Sequence, residues 1–157
     1  MPRFHTARRV RHSAENMFAL VADVERYPEF VPLCEGLRVL GRTAGGEGVV
    51  IINARMSVGY KALRESFTSR VTLDRRRLKI SVEYLDGPFQ QLDNRWTFKP
   101  LGDNACEVDF FIAYEFRSRM FALVMGAMFE TAFRKFAEAF ERRADVVYGR
   151  TQPVTPA

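Results

Sequence analysis

The stretch SRMFALVMGAMFETAFRKFAEAFERRADVVY, residues 118–148, decides the fold. Its apolar residues recur every three or four positions, which is the spacing that places side chains on one face of a helix. This stripe consists of Phe121, Met125, Phe129, Phe133, Phe136, Phe140, Ala144 and Val147. Charges of alternating sign occupy another face at four-residue spacing, typical of a solvated helix surface: Glu130, Arg134, Glu138 and Arg142. The stretch therefore predicts one long amphipathic helix.

The chain before this helix is dominated by apolar residues at every second position, the period of a half-buried strand. The clearest run is Val108, Phe110, Ile112, Tyr114 and Phe116. Further strands are predicted over 3–10, 37–39, 48–58, 63–73, 78–84 and 96–98. Most of them are separated by short turns rich in glycine, proline or aspartate, which favours antiparallel pairing of neighbours.

Two short helices are predicted between the first and second strands. Ser13 is a suitable N-cap for a helix over 14–24. Two X-Pro pairs within residues 27–32 bracket a turn or one-turn helix, because the residue before proline avoids the α region. The order indicates an α+β fold in which a curved antiparallel sheet of about seven strands wraps around the C-terminal helix. We expect residues 1–148 to form a single domain and residues 149–157 a disordered tail.

Composition excludes several classes of protein. The 157 residues are 47% hydrophobic and 27% charged, which suits a folded globular domain, and no apolar run reaches the ~18 residues of a membrane span. Cys34 and Cys106 lack CxxC spacing, so neither a zinc site nor a redox pair is predicted. No apolar stretch follows the N-terminal arginines, so no secretory signal is predicted. The net charge of +5 is compatible with anionic lipid or RNA as a partner.

The usual catalytic constellations are missing from the sequence. His5 and His12 lack a metal-binding spacing such as HExxH, no glycine-rich phosphate loop occurs, and nothing pairs Cys34 with a base. We therefore expect no metal and no covalent cofactor. Glu65 shares the strand parity of Phe67. Facing inward it would serve as an acid, a base or a partner for a polar ligand head. Otherwise it pairs with an arginine of a neighbouring strand, such as Arg55 or Arg95, or lies near the rim.

Two further segments are apolar without an evident covering partner. Residues 119–129, RMFALVMGAMF, are apolar on nearly every side of the predicted helix. Either they line a lipid-sized pocket or touch a membrane, or loops or a second copy of the chain cover them. The loop YPEFVPL, residues 27–33, is apolar and stiffened by two prolines. Because apolar loops are normally buried or bind something, residues 30–33 of this loop, beside the start of the long helix, are a candidate gate for a ligand.

Five segments occur in an order that resembles a known family: YPEFVPLC (27–34), FTSRVTL (67–73), GPFQQLDNRWTFKPL (87–101), VDFFIAYEFRS (108–118) and AFRKFAEAFERRA (132–144). This order resembles the START-like, helix-grip superfamily, often labelled by its polyketide cyclase/dehydrase-like fold. Within it, the chain resembles the branch of coenzyme Q-binding proteins and ribosome-association toxins. Leu33 stands where that branch usually has an aromatic residue before the cysteine.

The resemblance implies a cavity between the long helix and the sheet that holds ubiquinone or a similar isoprenoid lipid. It implies a non-catalytic quinone chaperone that supports respiratory electron transport, cytoplasmic and in transient contact with the inner face of the respiratory membrane. Glu65 is the candidate polar contact for the quinone head. The expected lining is Phe30, Val31, Pro32, Leu33, Phe67, Phe89, Trp96, Phe110, Tyr114, Met125, Phe129 and Phe133.

Two other functions stay open. The same family and the many arginines, among them residues 75–77, suggest a toxin-like translation inhibitor that associates with the large ribosomal subunit. The absence of a dense basic stripe weighs against this alternative, and no DNA partner is expected. The second alternative is a cyclase-like enzyme that uses a cavity carboxylate, for which Glu65 is the candidate.

Overall fold

The computed structural model of the chain describes residues 2–60 and 63–149. Within these residues the chain forms one sheet, two α-helices and a short 3-10 helix. The predicted tail over 149–157 lies outside the described residues apart from Gly149. In chain order the elements are β1 (Arg3–Val10), α1 (Ala14–Ala22), the 3-10 helix (Val24–Glu29), β2 (Cys34–Ala44), β3 (Val49–Tyr60), β4 (Leu63–Asp74), β5 (Lys79–Asp86), β6 (Phe89–Pro100), β7 (Cys106–Phe116) and α2 (Arg119–Tyr148).

The sheet is antiparallel and its strands lie in the order β1-β7-β6-β5-β4-β3-β2. Strands β2 to β7 follow one another as a meander. Strand β1 instead returns to pair with β7, so that Arg3 stands opposite Ala113 and Val10 opposite Cys106. This topology confirms the predicted α+β fold, with a curved sheet, two short helices after the first strand and the long helix at the end.

Strand β7 shows how the concave face of the sheet is built. Because successive side chains on a strand point to opposite faces, alternate apolar residues form one continuous apolar row. Phe110 is completely buried, and the other members of the row are at most 3% exposed. These residues are Cys106, Val108, Phe110, Ile112 and Tyr114. The period-two pattern therefore predicted correctly which side of β7 is buried.

The first helix is shorter than the sequence pattern predicts. Ser13 caps it as expected, because its hydroxyl accepts a backbone N–H from the first turn at 3.1 Å. The α-helix ends at Ala22 rather than at Val24, since Asp23 adopts a non-helical ψ of 69°. The 3-10 helix that follows contains Pro28 in its interior, so the predicted one-turn helix begins several residues earlier than its prolines.

The helix α2 places its aromatic stripe on the concave face of the sheet. The best-buried members of the stripe are Met125, Phe129, Phe133, Phe140 and Ala144. Val147, which was predicted to extend the stripe, is 50% exposed. Tyr148 is also exposed in the last turn, at 39%, although its ring centroid lies 6.3 Å from that of His12. The buried stripe therefore ends at Ala144.

Ion pairs fasten the C-terminal half of α2 to the rest of the fold. They join Arg8 to Glu141 and Arg143 to Glu29, each at 2.6 Å, and a hydrogen bond joins the His12 ring to Asp145 at 2.7 Å. Among the described residues, no ion pair involves residues 119–128 of α2. The first turns of the helix are therefore held by apolar contacts, whereas its second half is also held by charge.

The His12–Asp145 pair is expected to contribute more to stability than the exposed pairs, because the His12 side chain is only 2% exposed. Replacing His12 with alanine removes a hydrogen-bond partner from a partly buried carboxylate. We expect His12→Ala to lower the free energy of unfolding by about 1–3 kcal/mol, measured by urea denaturation.

A matched control is His5→Ala, because the His5 side chain also contacts a carboxylate, that of Asp109, but is 57% exposed. The loss for this variant should stay below about 1 kcal/mol. Equal losses in the two variants would contradict the special contribution of the buried pair.

Candidate ligand-binding cavity

A cavity of about 100 Å³ lies between α2 and the concave face of the sheet. Six of the seven strands contribute side chains to its wall, and β1 does not. The 3-10 helix and the loop after it close another side. The contribution of α2 is aromatic apart from one small residue, and consists of Phe129, Ala132, Phe133, Phe136 and Phe140. The wall is therefore formed by the two layers whose packing defines the fold.

The size of the cavity limits what it holds without rearrangement. Sites for small organic molecules usually occupy about 300–1,000 Å³. A long ligand would therefore have to displace side chains or extend out of the cavity. Met56 lies in the wall and is only partly buried. Because methionine is unbranched and rotates about three bonds, its side chain adapts to a ligand more readily than an aromatic ring does.

Two aromatic clusters form much of the wall. In the first, the fully buried Phe89 has its ring centroid 5.6 Å from that of Phe67 and 5.9 Å from that of Phe129, both in edge-on contact. In the second, the ring centroid of Trp96 lies 5.0 Å from that of Phe140, again edge-on. Edge-on aromatic pairs are among the preferred packing geometries, so both clusters give the wall a defined shape.

The structure brings most of the predicted lining residues to this cavity. The residues that line it are Val31, Pro32, Leu33, Phe67, Phe89, Trp96, Phe129 and Phe133. Three others, Phe110, Tyr114 and Met125, are buried in the same core but behind the wall. Phe30 lies on the far side of its loop, in an outer groove beside α2. Strand parity correctly predicted that Phe110 and Tyr114 are buried, but it does not predict depth.

Glu65 lies apart from the cavity. Its side chain is exposed in a shallow surface groove, together with Glu35 and Arg64. Glu65 stands opposite Val58 in the β3–β4 ladder, close to the end of both strands. An inward parity at a strand end does not bury a side chain when the covering layer stops short of it. The groove around Glu65 is therefore a surface feature.

The polar side chains that do line the cavity are Tyr27, Ser69 and Asn94, beside the indole of Trp96. The Tyr27 hydroxyl donates to the Val21 carbonyl, and the Asn94 amide nitrogen donates to the Phe111 carbonyl at 2.9 Å. A signal for Ser69 and Asn94 was present in the sequence. Both share the parity of buried neighbours, Val71 and Trp96 respectively, so strand alternation identifies them as inward-facing polar residues.

The loop over residues 30–33 separates the cavity from the outer groove. Pro32 touches both spaces, whereas Phe30 faces the groove. Leu33 has a φ of 67°, a left-handed conformation that is costly for a residue with a side chain. Its carbonyl accepts the Gly59 N–H at 3.0 Å, which fastens the loop to β3. The candidate gate therefore contains one strained residue, Leu33, while backbone hydrogen bonds from Phe30 and Val31 to the Tyr27 carbonyl hold its other end.

Arg143 fastens the other side of this loop. Its guanidinium donates to Glu29 at 2.6 Å and lies 5.1 Å from the centre of the Phe30 ring. Hydrogen bonds from Arg26 and Arg143 lower the pKa of the Glu29 carboxyl. The carboxylate therefore remains ionised, and its contact with Arg143 intact, at neutral pH.

The cavity offers little acid–base chemistry. Among the described residues that line it, none carries a charge at neutral pH, and burial raises the pKa of the Tyr27 hydroxyl. Burial also raises the pKa of the Cys34 and Cys106 thiols to about 11, so neither is a thiolate at neutral pH. No group of His, Cys, Asp or Glu suited to a metal ion occurs within residues 2–60 and 63–149. The arrangement is suited to binding an apolar molecule.

The first turns of α2 expose apolar side chains. Met120 is 75% exposed, Leu123 85% and Val124 56%. We call these three residues the helix-start patch. Gly126 follows them, and the space beside its Cα is open. None of the described helices has the length and hydropathy needed to cross a bilayer.

Comparisons with known proteins agree with this geometry. The model of the family described as polyketide cyclase/dehydrase and lipid transport matches residues 10–141. The ribosome association toxin RatA of Vibrio cholerae is 39% identical over 140 residues, which cover 89% of this chain and 93% of that protein. The mitochondrial coenzyme Q-binding protein COQ10 of Drosophila melanogaster is 36% identical over 135 residues, 83% of this chain and 53% of that protein.

A solved structure shows the same architecture. The 18 kDa protein CC1736 of Caulobacter crescentus is 36% identical and superposes with a TM-score of 0.76, covering 95% of this chain and 99% of that protein. The family match over most of the chain and the identity to these relatives lead to one conclusion. The chain belongs to the polyketide cyclase/dehydrase and lipid transport family, a START-like family.

Proposed function

We propose that this protein binds ubiquinone or a similar isoprenoid lipid in the cavity and carries it without chemical change, in support of respiratory electron transport. The observation that carries the proposal is the uncharged, largely aromatic cavity under α2. The similarity to a coenzyme Q-binding protein supports the choice of ligand. The proposed binding domain comprises residues 1–148, and a carrier of this kind works in the cytoplasm and touches the inner face of the respiratory membrane only transiently.

The apolar tail of such a ligand would supply most of the affinity. Each buried methylene contributes about 0.8 kcal/mol, so several isoprene units outweigh any single polar contact. Because the volume of the cavity is only about 100 Å³, the tail has to displace side chains of the wall or extend out of the cavity. The first turns of α2 are the element best suited to move, since no ion pair involves them among the described residues. Gly126 adds a helix-interior glycine, which weakens the helix by about 0.5–1 kcal/mol relative to alanine.

The helix-start patch provides a surface for ligand exchange with a bilayer. Arg117 and Arg119 precede the patch, and no acidic residue occurs between Glu115 and Glu130. Apolar side chains flanked by arginines suit the interface of an anionic membrane, where the side chains enter the acyl region and the guanidinium groups contact head groups. The patch lies on the same helix as the cavity wall, so membrane contact and opening of the cavity would involve one element.

A non-catalytic role fits the cavity better than cyclase chemistry does. General acid–base catalysis requires a titratable group within hydrogen-bond reach of the reacting atoms. Among the described residues, Tyr27 is the one cavity side chain of that kind, its pKa is raised, and its hydroxyl donates to Val21. Glu65, the candidate carboxylate, is exposed in a different groove.

The direct test is organic extraction of the purified protein and of an Ala54→Leu variant, with mass spectrometry for bound quinones. Ala54 is 5% exposed and lines the cavity, so the larger side chain occupies the ligand space. We expect quinone in the native protein and roughly tenfold less in the variant, the scale of one added group in an apolar pocket.

The control is Ala7→Leu, the same change at an exposed position on β1, which should keep the bound quinone. Unfolding curves check that Ala54→Leu remains folded, because overpacking costs about 1–3 kcal/mol. A native protein that contains no quinone and takes none from added ubiquinone would refute the proposal.

The membrane contact is tested by flotation of the protein with vesicles that contain phosphatidylglycerol. Leu123→Ser removes the most exposed apolar side chain of the helix-start patch and should weaken vesicle binding by roughly tenfold, because a buried leucine contributes about 1.5–3 kcal/mol. Leu40→Ser is the control, since Leu40 is 52% exposed but lies on the edge strand β2. An equal loss in both variants would contradict docking through the patch.

Ribosome association is a second candidate, favoured by the similarity to RatA and by one feature of the outer sheet face. Arg38 and Arg55 stand directly opposite each other on β2 and β3, and both are exposed. Like charges in cross-strand pairs are destabilising, so such a pair needs a compensating anion or a function. Arg55 donates to the Thr68 hydroxyl rather than to a carboxylate. A phosphate of RNA would suit the two guanidinium groups.

Sedimentation with purified large ribosomal subunits over a range of salt concentrations tests this candidate. The variant Arg38→Gln/Arg55→Gln should sediment less with the subunits. The slope of the logarithm of its binding constant against the logarithm of the salt concentration should be smaller in magnitude by about 2, one unit for each lost phosphate contact. Arg134→Gln/Arg142→Gln on the solvent face of α2 removes the same charge and should have a smaller effect. Salt-independent or absent sedimentation of the native protein would refute this candidate.

A further inference from the structure

The hydroxyl of Ser69 is an unpartnered polar group in the wall of the cavity. Ser69 is 5% exposed and lines the cavity between the inward side chains of Phe67 and Val71 on β4. Its Oγ is fully buried and has no hydrogen-bond partner among the described residues. Buried hydroxyls are nearly always hydrogen-bonded, because an unpaired one loses its water without compensation. The unpaired hydroxyl of Ser69 therefore lowers the free energy of unfolding of the unliganded protein.

Asn94 brings a second polar group to the same region of the wall. Its amide nitrogen donates one hydrogen to the Phe111 carbonyl at 2.9 Å, which fixes the side chain against β7. A carboxamide has a second N–H and an oxygen, so the group retains hydrogen-bonding capacity towards the cavity. Asn94 stands opposite Val82, and Val82 stands opposite Val71, the neighbour of Ser69 on the inward face. The two polar groups thus lie on adjacent rows of one apolar surface, on strands β4 and β6 with β5 between them.

The other unpaired buried atoms do not share this setting. Asn53 Oδ1 and Arg143 Nε also lack a partner among the described residues. Neither side chain lines the cavity, and Arg143 faces the outer groove beside α2. Ser69 is therefore the unpaired group that a molecule in the cavity would meet.

We propose that Ser69 and Asn94 form a hydrogen-bonding subsite for the neutral oxygens, such as two carbonyls, of the head group of an otherwise apolar ligand. This inference rests on the proposed lipid-binding function and specifies the ligand's polar end. Ser69 donates its hydroxyl hydrogen to the carbonyl oxygen, and Asn94 presents its free amide hydrogen to the same head group. Because no charged side chain lines the cavity among the described residues, a carboxylate or phosphate head would be buried without a counter-charge. The subsite therefore selects ketones and quinones over fatty acids and phospholipids.

The experiment compares Ser69→Ala with the native protein, using decylubiquinone and squalene as probes. Squalene is an isoprenoid hydrocarbon without oxygen, so it reports the apolar cavity alone. Ser69→Ala should weaken decylubiquinone binding by about five- to tenfold, the scale of one hydrogen bond, and leave squalene binding unchanged. The variant should also raise the melting temperature of the unliganded protein, because it removes an unpaired buried hydroxyl. Oleate should bind far more weakly than decylubiquinone.

Ser81→Ala is the matched control, since Ser81 is an exposed serine on the neighbouring strand β5 and should change neither binding nor melting. Equal decylubiquinone affinity in the native protein and in Ser69→Ala would overturn the subsite while leaving the lipid-binding function intact. A lower melting temperature together with equal losses for both probes would show that Ser69 is structural and would also overturn it. If the native protein bound neither probe, the proposed function itself would fail.

Discussion

The packing of the α2 aromatic stripe on the concave face of the sheet is the contact on which the rest of the structure depends. Each partner alone would expose a wide apolar surface to water, so neither is stable without the other. A curved sheet and a straight helix cannot fit along their whole length. The space left between them is the cavity, so the binding site follows directly from the packing that stabilises the fold.

Much of the architecture could be predicted from the sequence because it depends on periodicity. Period two in the strands and a 3.6-residue period in α2 fix which side of each element is buried, as Phe110 and Phe140 illustrate. Depth could not be predicted in this way. Phe110 and Tyr114 share the parity of true lining residues but lie behind the wall, and Glu65 is exposed near a strand end despite its inward parity. These outcomes depend on where the facing layer ends, which is a property of the tertiary structure.

The two candidate functions use opposite faces of the same strands. On β4, Ser69 faces the cavity, whereas Arg70 is exposed and pairs with Glu83 on the outer face. The arginine pair of β2 and β3 likewise lies on the outer face, while Ala54, the residue before Arg55, lines the cavity. Since strand alternation separates the two surfaces, binding of a lipid inside places no steric limit on association with RNA outside. One domain of this family could therefore support either activity with few changes on the other face.

The pairing of β1 with β7 also has a consequence during synthesis. His5 contacts Asp109, a residue 104 positions later in the chain. At the usual elongation rates of about 5–20 residues per second, β1 is without its partner strand for roughly 5–20 s after it has been synthesised. During this interval β1 carries the charges of Arg3, Arg8 and Arg9. Charge along an unpaired strand discourages its pairing with any strand other than β7. The arginines of β1 thus reduce incorrect strand pairing during synthesis, in addition to contributing charge to the surface of the folded protein.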